Sequence, residues 1–193
     1  MVPTLSLAVL ARNEERTIGR LLSVAKSYCT EMVVLLDART TDDTMNVAEG
    51  FGAEVVVHAW DEEDFSFSRP LNRLFGLCSG DYILRLEGHD VVDHQWMEEL
   101  RELLEGEPDC VLADYYYTIG ADGTVQTVVP QKERVWRRKA FGRWRGRVHE
   151  IVEGDIKRYV SMTRPIKHLP LPDSHEQTGK ATREREALLK EIE

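Results

Sequence analysis

Apolar runs of strand length alternate with helical patterns along the first 110 residues of the chain. Continuous apolar runs predict four buried strands, at residues 5–11, 31–37, 53–59 and 81–86. Apolar residues at helical spacing predict a helix after each strand, at residues 14–26, 41–51, 71–78 and 94–104. This alternation is typical of an α/β fold, in which a mostly parallel central sheet is flanked by helices.

The pattern changes after residue 110. Residues 110–120 form a strand-like run, and Ala121-Asp122-Gly123 is a turn signal before a second run, which predicts a hairpin. We therefore expect antiparallel additions to the sheet. Since no linker is evident before residue 170, we predict one domain over residues 1–170 and a C-terminal extension with a charged helix over residues 171–193.

Polar residues follow each of the four predicted strands at its carboxyl end. The most distinctive of these segments is Glu87-Gly88-His89-Asp90, where a buried strand stops at three potential metal ligands and one glycine. Ligands of open parallel sheets bind beyond the carboxyl ends of the strands, so the four segments predict a single site. The glycine-rich motifs of dinucleotide-binding proteins and P-loop NTPases are not found, which argues against both classes.

Charge is unevenly distributed along the chain. The net charge is -9, yet residues 132–147 contain eight basic residues and a single acidic one, Glu133. This basic segment indicates a local anionic ligand, and the alternative is a solvated hairpin. Trp136, Phe141 and Trp144 lie between the basic residues, so the segment is interpreted as a lid over phosphates or as an acceptor groove in which aromatic rings stack on sugars or bases.

Hydrophobic runs and cysteine spacing indicate the cellular location of the protein. No apolar run approaches the roughly 18 residues that a membrane span requires, so we predict no transmembrane segment. Cys29, Cys78 and Cys110 follow no CxxC spacing, which argues against a disulfide framework or a structural zinc site. We therefore expect a cytoplasmic protein.

Several segments, in this order, resemble the family 2 glycosyltransferases of the GT-A fold. The resemblance begins with VLARNEERTIGRLLSV, VVLLDARTTDDTMNVAEGFGAEVV and WDEEDFSFSRPLN. It continues with GDYILRLEGHD at the position of the family's Asp-x-Asp, then with GRVHE and the closing segment that starts at His168, both similar to a bacterial subgroup. The resemblance implies a GT-A fold and transfer of a sugar from a nucleotide-diphosphate donor, expected to be a UDP-sugar, with inversion.

The resemblance also implies roles for individual residues. Asp37 matches the acid that accepts a hydrogen bond from the nucleobase, and Asn13 and Glu14 match contacts to base or ribose or, alternatively, helix caps. Further contacts with the nucleotide-sugar donor are assigned to Arg69, Asn72, Glu87 and Arg147. Glu87, His89 and His149 are the predicted ligands of Mn²⁺ or Mg²⁺, although Glu87-Gly88-His89 departs from Asp-x-Asp and leaves metal dependence open.

An inverting transferase also needs a general base for the acceptor hydroxyl, and the candidates are Glu150 and Asp114. The acceptor itself is left open between a sugar, a lipid, a peptide and a modified base in nucleic acid. Two other hypotheses are a nucleotide-sugar-binding module without catalysis and a nucleotidyltransferase with a similar sheet. The nucleotidyltransferase requires an early Gly- and Arg-rich phosphate loop, where the chain has only ARNEERT.

Overall fold

The computed structural model describes residues 2–60, 65–119 and 124–169. Its helices are α1 (Ile18–Ala25), α2 (Thr44–Gly50), α3 (Ser68–Leu77) and α4 (His94–Glu105). Its strands are β1 (Leu5–Ala11), β2 (Glu31–Asp37), β3 (Glu54–His58), β4 (Tyr82–Glu87), β5 (Asp90–Val91), β6 (Cys110–Ile119), β7 (Val125–Arg137), β8 (Phe141–Arg145), β9 (Ile151–Gly154), β10 (Tyr159–Ser161) and β11 (Ile166–His168). The predicted C-terminal helix and the 170/171 boundary lie outside the described residues, so both stay predictions.

One large sheet forms the centre of the molecule, with strand order β3-β2-β1-β4-β7-β6-β11-β5 and with β10 beside β6. The first half, β3-β2-β1-β4, is parallel throughout, as the alternation of strands and helices predicts. Beyond β4 the long strand β7 runs antiparallel to both β4 and β6. The predicted α/β fold with antiparallel additions is therefore confirmed.

Both faces of the sheet are covered because the parallel strands are apolar along their whole length. One face packs against α1, α2 and α4, whose buried side chains include Ile18, Leu22, Ala48 and Met97. The other face packs against α3 through Leu71, Leu74 and Phe75. The polar carboxyl ends of β1, β2 and β4 are left at one edge, where a ligand can reach them.

A separate two-stranded sheet, β8-β9, covers part of the α3 face. Trp144 in β8 is buried against Phe75 and Trp136, and Phe141 also packs on Phe75. The sequence-based interpretation of the aromatic rings of this segment as ligand-stacking groups is therefore wrong for Trp136 and Trp144, because both are buried in the second half of the hydrophobic core. Phe141 packs against the same core and is partly buried. None of the helices in the described ranges is long and apolar enough to cross a membrane, and the cytoplasmic setting stays a prediction.

Candidate functional site

Three side chains that can bind a metal meet where β4 ends. Glu87, His89 and His168 each present one ligand atom, and these atoms all lie within 4.8 Å of one another. The two Nε2 atoms of His89 and His168 are 3.1 Å apart, and a carboxylate oxygen of Glu87 lies 3.4 Å from His89 Nε2. Glu87 and His89 come from the end of β4 and its turn, whereas β11 delivers His168 from the far end of the described chain.

Each imidazole of this cluster is held through its other ring nitrogen. His89 Nδ1 donates to Glu14 Oε1 at 2.7 Å, and His168 Nδ1 lies 3.2 Å from Asp90 Oδ1. Asp90 is fully buried, and it accepts hydrogen bonds from the Tyr115 hydroxyl and from the backbone N–H of Glu87. A carboxylate behind each imidazole fixes the orientation of the ring and turns Nε2 towards the centre of the cluster.

The donor set fits a divalent cation. Two ligand atoms that bind one ion at a right angle, each at about 2.1 Å, are about 3 Å apart, and the two Nε2 atoms have this spacing. Two imidazoles with one carboxylate are softer than the all-oxygen sets that Ca²⁺ and Mg²⁺ prefer. The cluster is therefore able to hold an ion such as Mn²⁺, with Glu14 and Asp90 as its outer partners.

Opposite charges inside the cluster compensate one another. Burial disfavours the charged form of His89, but its hydrogen bonds with Glu14 and Glu87 outweigh burial and raise the pKa of His89 to about 10. Burial also opposes ionisation of Glu87, yet His89 and the positive charges of Arg134 and Arg85 hold the pKa of Glu87 well below its usual range. Burial raises the pKa of Glu14 in spite of His89.

Gly88 permits the tight packing of this site. A Cβ atom at residue 88 would lie 1.8 Å from Glu14 Oε2 and 2.8 Å from Glu14 Cδ, so a side chain there would collide with the carboxylate that holds His89. The sequence-based expectation that Gly88 allows a close approach is consistent with this packing, and the neighbour is Glu14 rather than a ligand.

The predicted nucleobase side lies at the ends of β1 and β2. Asp37 is buried, and Arg39 binds its carboxylate through Nε at 3.0 Å, Nη2 at 2.6 Å and the backbone N–H at 2.9 Å. These bonds hold the pKa of Asp37 below its ordinary value in spite of burial. Asn13 adopts a left-handed backbone conformation at φ 52°, and its side chain accepts from Thr41 N–H at 2.8 Å. The helix α1 begins at Ile18, and its N-cap position is occupied by Thr17 rather than by Asn13 or Glu14.

The other predicted donor contacts lie around α3. Arg69 is exposed in the first turn of α3. Both polar atoms of the Asn72 amide bond the backbone of Trp144, at 2.9 Å to its carbonyl and at 2.8 Å from its N–H. Arg147 bonds the segment before α3, since its carbonyl accepts from Phe67 N–H at 2.8 Å. Asn72 thus fastens β8 to α3.

The predicted acceptor-side residues occupy different positions. Glu150 lies 3.4 Å from Arg85 Nη2, with 15% of its side chain exposed. Asp114 accepts from the backbone N–H of Gln131 at 3.1 Å, farther along the β6-β7 ribbon. His149 is exposed at φ 56° and is not one of the three clustered residues, whereas His168, which was not predicted, is one of them.

The basic segment does not form one continuous surface. Arg143 and Arg145 pair with Glu153, while Arg137 pairs with Glu107. Lys132 and Arg134 differ from these arginines, because both lie against one buried ring, that of Tyr115, at centroid distances of 5.0 and 4.2 Å. Burial and the charge of Arg134 lower the pKa of Lys132 to about 8.

His168, Tyr115 and Arg134 are not among the residues predicted from the sequence. For His168 a signal exists, since it opens the segment that resembles the closing part of the family. Arg134 and Tyr115 carry no such signal, because a basic residue among basic residues and a tyrosine in YYY are locally unremarkable.

Curated proteins share sequence with part of this chain. An uncharacterized glycosyltransferase of Rickettsia typhi is 26% identical over 96 residues, which cover 50% of this chain and 31% of that protein. The chain thus spans about a third of the length of this relative.

Solved structures share the fold. S. aureus TarS in complex with UDP-GlcNAc has a TM-score of 0.62 and 15% identity, over 89% of this chain and 60% of that one. A glucosyl-3-phosphoglycerate synthase from Mycobacterium tuberculosis, in complex with Mn²⁺, UDP-glucose and phosphoglyceric acid, has a TM-score of 0.60 and 18% identity over 96% and 77% of the two chains. The family model for glycosyl transferase family 2 matches residues 6–155, which include the parallel half of the sheet, Glu87 and His89. This chain belongs to glycosyl transferase family 2.

Proposed function

We propose that this chain transfers a sugar from a UDP-sugar to an acceptor hydroxyl, with inversion of configuration. The observation that carries the proposal is the cluster of Glu87, His89 and His168 at the carboxyl end of β4, with a carboxylate behind each imidazole. Membership of the family and the UDP-GlcNAc and UDP-glucose complexes of structures with this fold support the donor class. The bacterial subgroup with a Val-His-Glu element stays part of the proposal.

The proposed ion is Mn²⁺ rather than Mg²⁺. Two of the three clustered ligands are imidazoles, which Mg²⁺ rarely accepts, and a protein of the same fold was crystallised with Mn²⁺. When bound, a divalent ion supplies positive charge to the leaving nucleotide diphosphate as a Lewis acid. The chain itself supplies the orientation, because Glu14 and Asp90 hold the two rings in place.

The nucleobase is proposed to lie at the end of β2 beside Asp37. The Asp37 carboxylate is a hydrogen-bond acceptor, as the N3–H of uracil requires, and Arg39 fixes its position at the end of β2. Asn13 and Arg69 remain proposed contacts of the same nucleotide. The side chain of Arg147 is also a proposed contact of the UDP-sugar.

Glu150 is the proposed general base, and Asp114 is the second candidate. Glu150 is partly exposed and forms an ion pair with Arg85. The charge of Arg85 also acts on Glu87, so Arg85 connects Glu150 to the cluster. A carboxylate at this position can take the proton from an acceptor hydroxyl as the sugar is transferred. Asp114 is engaged with Gln131 on the β6-β7 ribbon, and the contacts of its side chain do not connect it to the cluster.

Calorimetric titration with UDP, in the presence and absence of Mn²⁺, tests the proposal. We expect UDP to bind more tightly with Mn²⁺, and GDP to bind more weakly than UDP. Glu87→Gln and His168→Ala should each reduce the gain in UDP affinity that Mn²⁺ provides by about tenfold or more, since each substitution removes a ligand of the ion. Turnover of a UDP-sugar, measured as UDP release, should fall on the order of 10²-fold in both variants.

Glu102→Gln is the matched control, because Glu102 is an exposed residue of α4 and the substitution removes the same charge. UDP affinity that is independent of Mn²⁺ and of Glu87 would overturn the metal assignment. UDP binding without turnover for any UDP-sugar would favour the non-catalytic binding module instead. Failure of both nucleotides to bind would refute the donor class.

A further inference from the structure

A buried arginine in β7 has no partner for its hydrogen-bond donors. Arg134 is 1% exposed, and none of its three guanidinium nitrogens makes a hydrogen bond within the described ranges. Its guanidinium carbon lies 4.2 Å from the centroid of the Tyr115 ring. The charge of Glu87 acts on Arg134 without a hydrogen bond between them, and a buried cation whose five donors are all unused is unfavourable, so this position points to a ligand.

Backbone geometry places Arg134 in this position. Val111 of β6 pairs with Val135, but the next residue, Leu112, pairs with Glu133, so Arg134 is an extra residue in β7. Such a β-bulge redirects a side chain, and bulges are frequent beside active sites. The bulge brings Arg134 over Tyr115, whose hydroxyl donates to Asp90 of the metal-binding cluster.

A second cation lies beside the same ring. Lys132 Nζ is 5.0 Å from the centroid of Tyr115 and 5.5 Å from that of Tyr117, and it donates to the Tyr117 hydroxyl at 3.1 Å. Unlike Arg134, Lys132 is partly exposed. In the part of the chain that the structure describes, no carboxylate forms an ion pair with either residue, whereas Arg137, Arg143 and Arg145 of the same segment each have one.

Sheet order separates these cations from the proposed nucleotide. The nucleobase side lies at β2 and β1, and β4 carries Glu87, whereas β7 lies beyond β4 on the side away from β1. Arg85 and its partner Glu150, the proposed base, lie near the two cations, since the charges of both Arg85 and Glu150 act on Lys132. A group bound at Lys132 therefore belongs to the molecule that receives the sugar.

We infer that Lys132 and Arg134 form a subsite for an anionic group, a phosphate or a carboxylate, carried by the acceptor. Lys132 contacts the anion from the partly exposed side, and Arg134 supplies a fixed positive charge behind it. This inference rests on the proposed function, and it narrows the acceptor from any hydroxyl compound to one with a negative charge close to that hydroxyl. Charge-assisted bonds from lysine and arginine are the usual means of holding such groups.

Calorimetric titration with methyl phosphate, on protein already saturated with UDP, tests the subsite. We expect methyl phosphate to bind to the UDP-saturated protein. A second titration, with acetate at the same ionic strength, provides the carboxylate probe. The tighter of the two probes identifies the kind of anion. Lys132→Gln should weaken binding of the better probe by about tenfold or more, while Lys132→Arg should retain most of it. UDP affinity should be unchanged in both variants.

Lys139→Gln is the matched control, because Lys139 is an exposed lysine of the turn between β7 and β8 and the same charge is lost. Equal weakening in Lys139→Gln and Lys132→Gln would show only diffuse attraction and would overturn the subsite. Displacement of methyl phosphate by UDP would also overturn the subsite, and so would the absence of binding by both probes. If UDP does not bind at all, the donor proposal fails separately, and the probe titrations on the free protein still decide the anion subsite.

Discussion

At the scale of single residues, the site depends on how closely the glycine of Glu87-Gly88-His89 packs on its neighbour. We expect Gly88→Ala to displace the Glu14 carboxylate, because the added Cβ would lie 1.8 Å from Glu14 Oε2. His89 would then lose the partner that orients it. Mn²⁺ affinity, measured by calorimetry, should fall by about 10–100-fold, and the free energy of unfolding should fall by about 1–3 kcal/mol.

Gly76→Ala provides the comparison for Gly88→Ala. A Cβ atom at Gly76, inside α3, meets no atom within 4 Å, so this substitution should raise the free energy of unfolding by about 0.5–1 kcal/mol. Mn²⁺ affinity should be unchanged in Gly76→Ala. Unchanged Mn²⁺ affinity in Gly88→Ala as well would mean that the contact between Gly88 and Glu14 does not support the cluster.

The residues of the cluster differ in how far the sequence could predict them. Glu87 and His89 were predictable because they follow a buried strand directly, and strand ends in parallel sheets meet at one edge. His168 was not assigned as a ligand, since it lies 79 residues beyond His89 and reaches the site only through the pairing of the short strand β11 with β6 and β5. Arg134 depends on a β-bulge, which has no local sequence signal.

At the scale of elements, one carboxylate at the start of β2 links three parts of the parallel sheet. Glu31 accepts hydrogen bonds from Ser6 of β1 and from Ser79 and Gly80, which precede β4. Burial opposes ionisation of Glu31, but these bonds outweigh it and lower the pKa of Glu31. The stabilisation is therefore present above the ordinary glutamate pKa and is lost as pH falls through the lowered value.

We expect Glu31→Gln to reduce the free energy of unfolding by about 1–3 kcal/mol near neutral pH, because it removes a charged hydrogen-bond acceptor. The difference between wild type and variant should shrink as pH falls below the ordinary glutamate pKa and through the lowered pKa of Glu31, where Glu31 of the wild type becomes protonated. Urea denaturation at several pH values measures this difference in the free energy of unfolding. Glu54→Gln, at an exposed residue of β3, is the control, and a difference that does not depend on pH would argue against the ionised network.

The elements themselves were predictable to different degrees. Strands β1 to β4 were predictable within about a residue or two, since each is a mainly apolar run of strand length. The strands β1 and β2 are buried on both faces, whereas β3, at the edge of the sheet, is partly exposed. Beyond residue 110 the antiparallel character was anticipated, but the separate sheet of β8 and β9 was not. Short alternating strands carry little information on their pairing partner, which depends on the core that Trp144 completes with Phe75.

At the scale of the whole molecule, Asn72 joins the small sheet to the main body. Its amide makes two hydrogen bonds with the backbone of Trp144. We expect Asn72→Ala to lower the free energy of unfolding by about 1–3 kcal/mol, since two buried backbone groups lose their partner. Exchange of the Trp144 amide hydrogen, followed by NMR or mass spectrometry, should accelerate.

UDP affinity distinguishes the two roles considered for Asn72. A role confined to fastening β8 leaves UDP affinity unchanged in Asn72→Ala. The donor contact predicted from the sequence would instead appear as weaker UDP binding without faster exchange at Trp144. Ser23→Ala, at an exposed position of α1 away from β8, is a suitable reference for the effect of a small polar deletion.

The long separation between His89 and His168 has a consequence for how the protein is made. A ribosome adds about 5–20 residues per second, so the 79 residues between the two histidines take roughly 4–16 s to synthesise. Early in that interval, once Glu105 has been added, the nascent chain contains every helix described above, together with Glu14, Glu87 and His89. The three-residue cluster can form only after β11 has been synthesised. Its assembly therefore follows the synthesis of all four described helices, and a chain that stops before residue 168 lacks the third member.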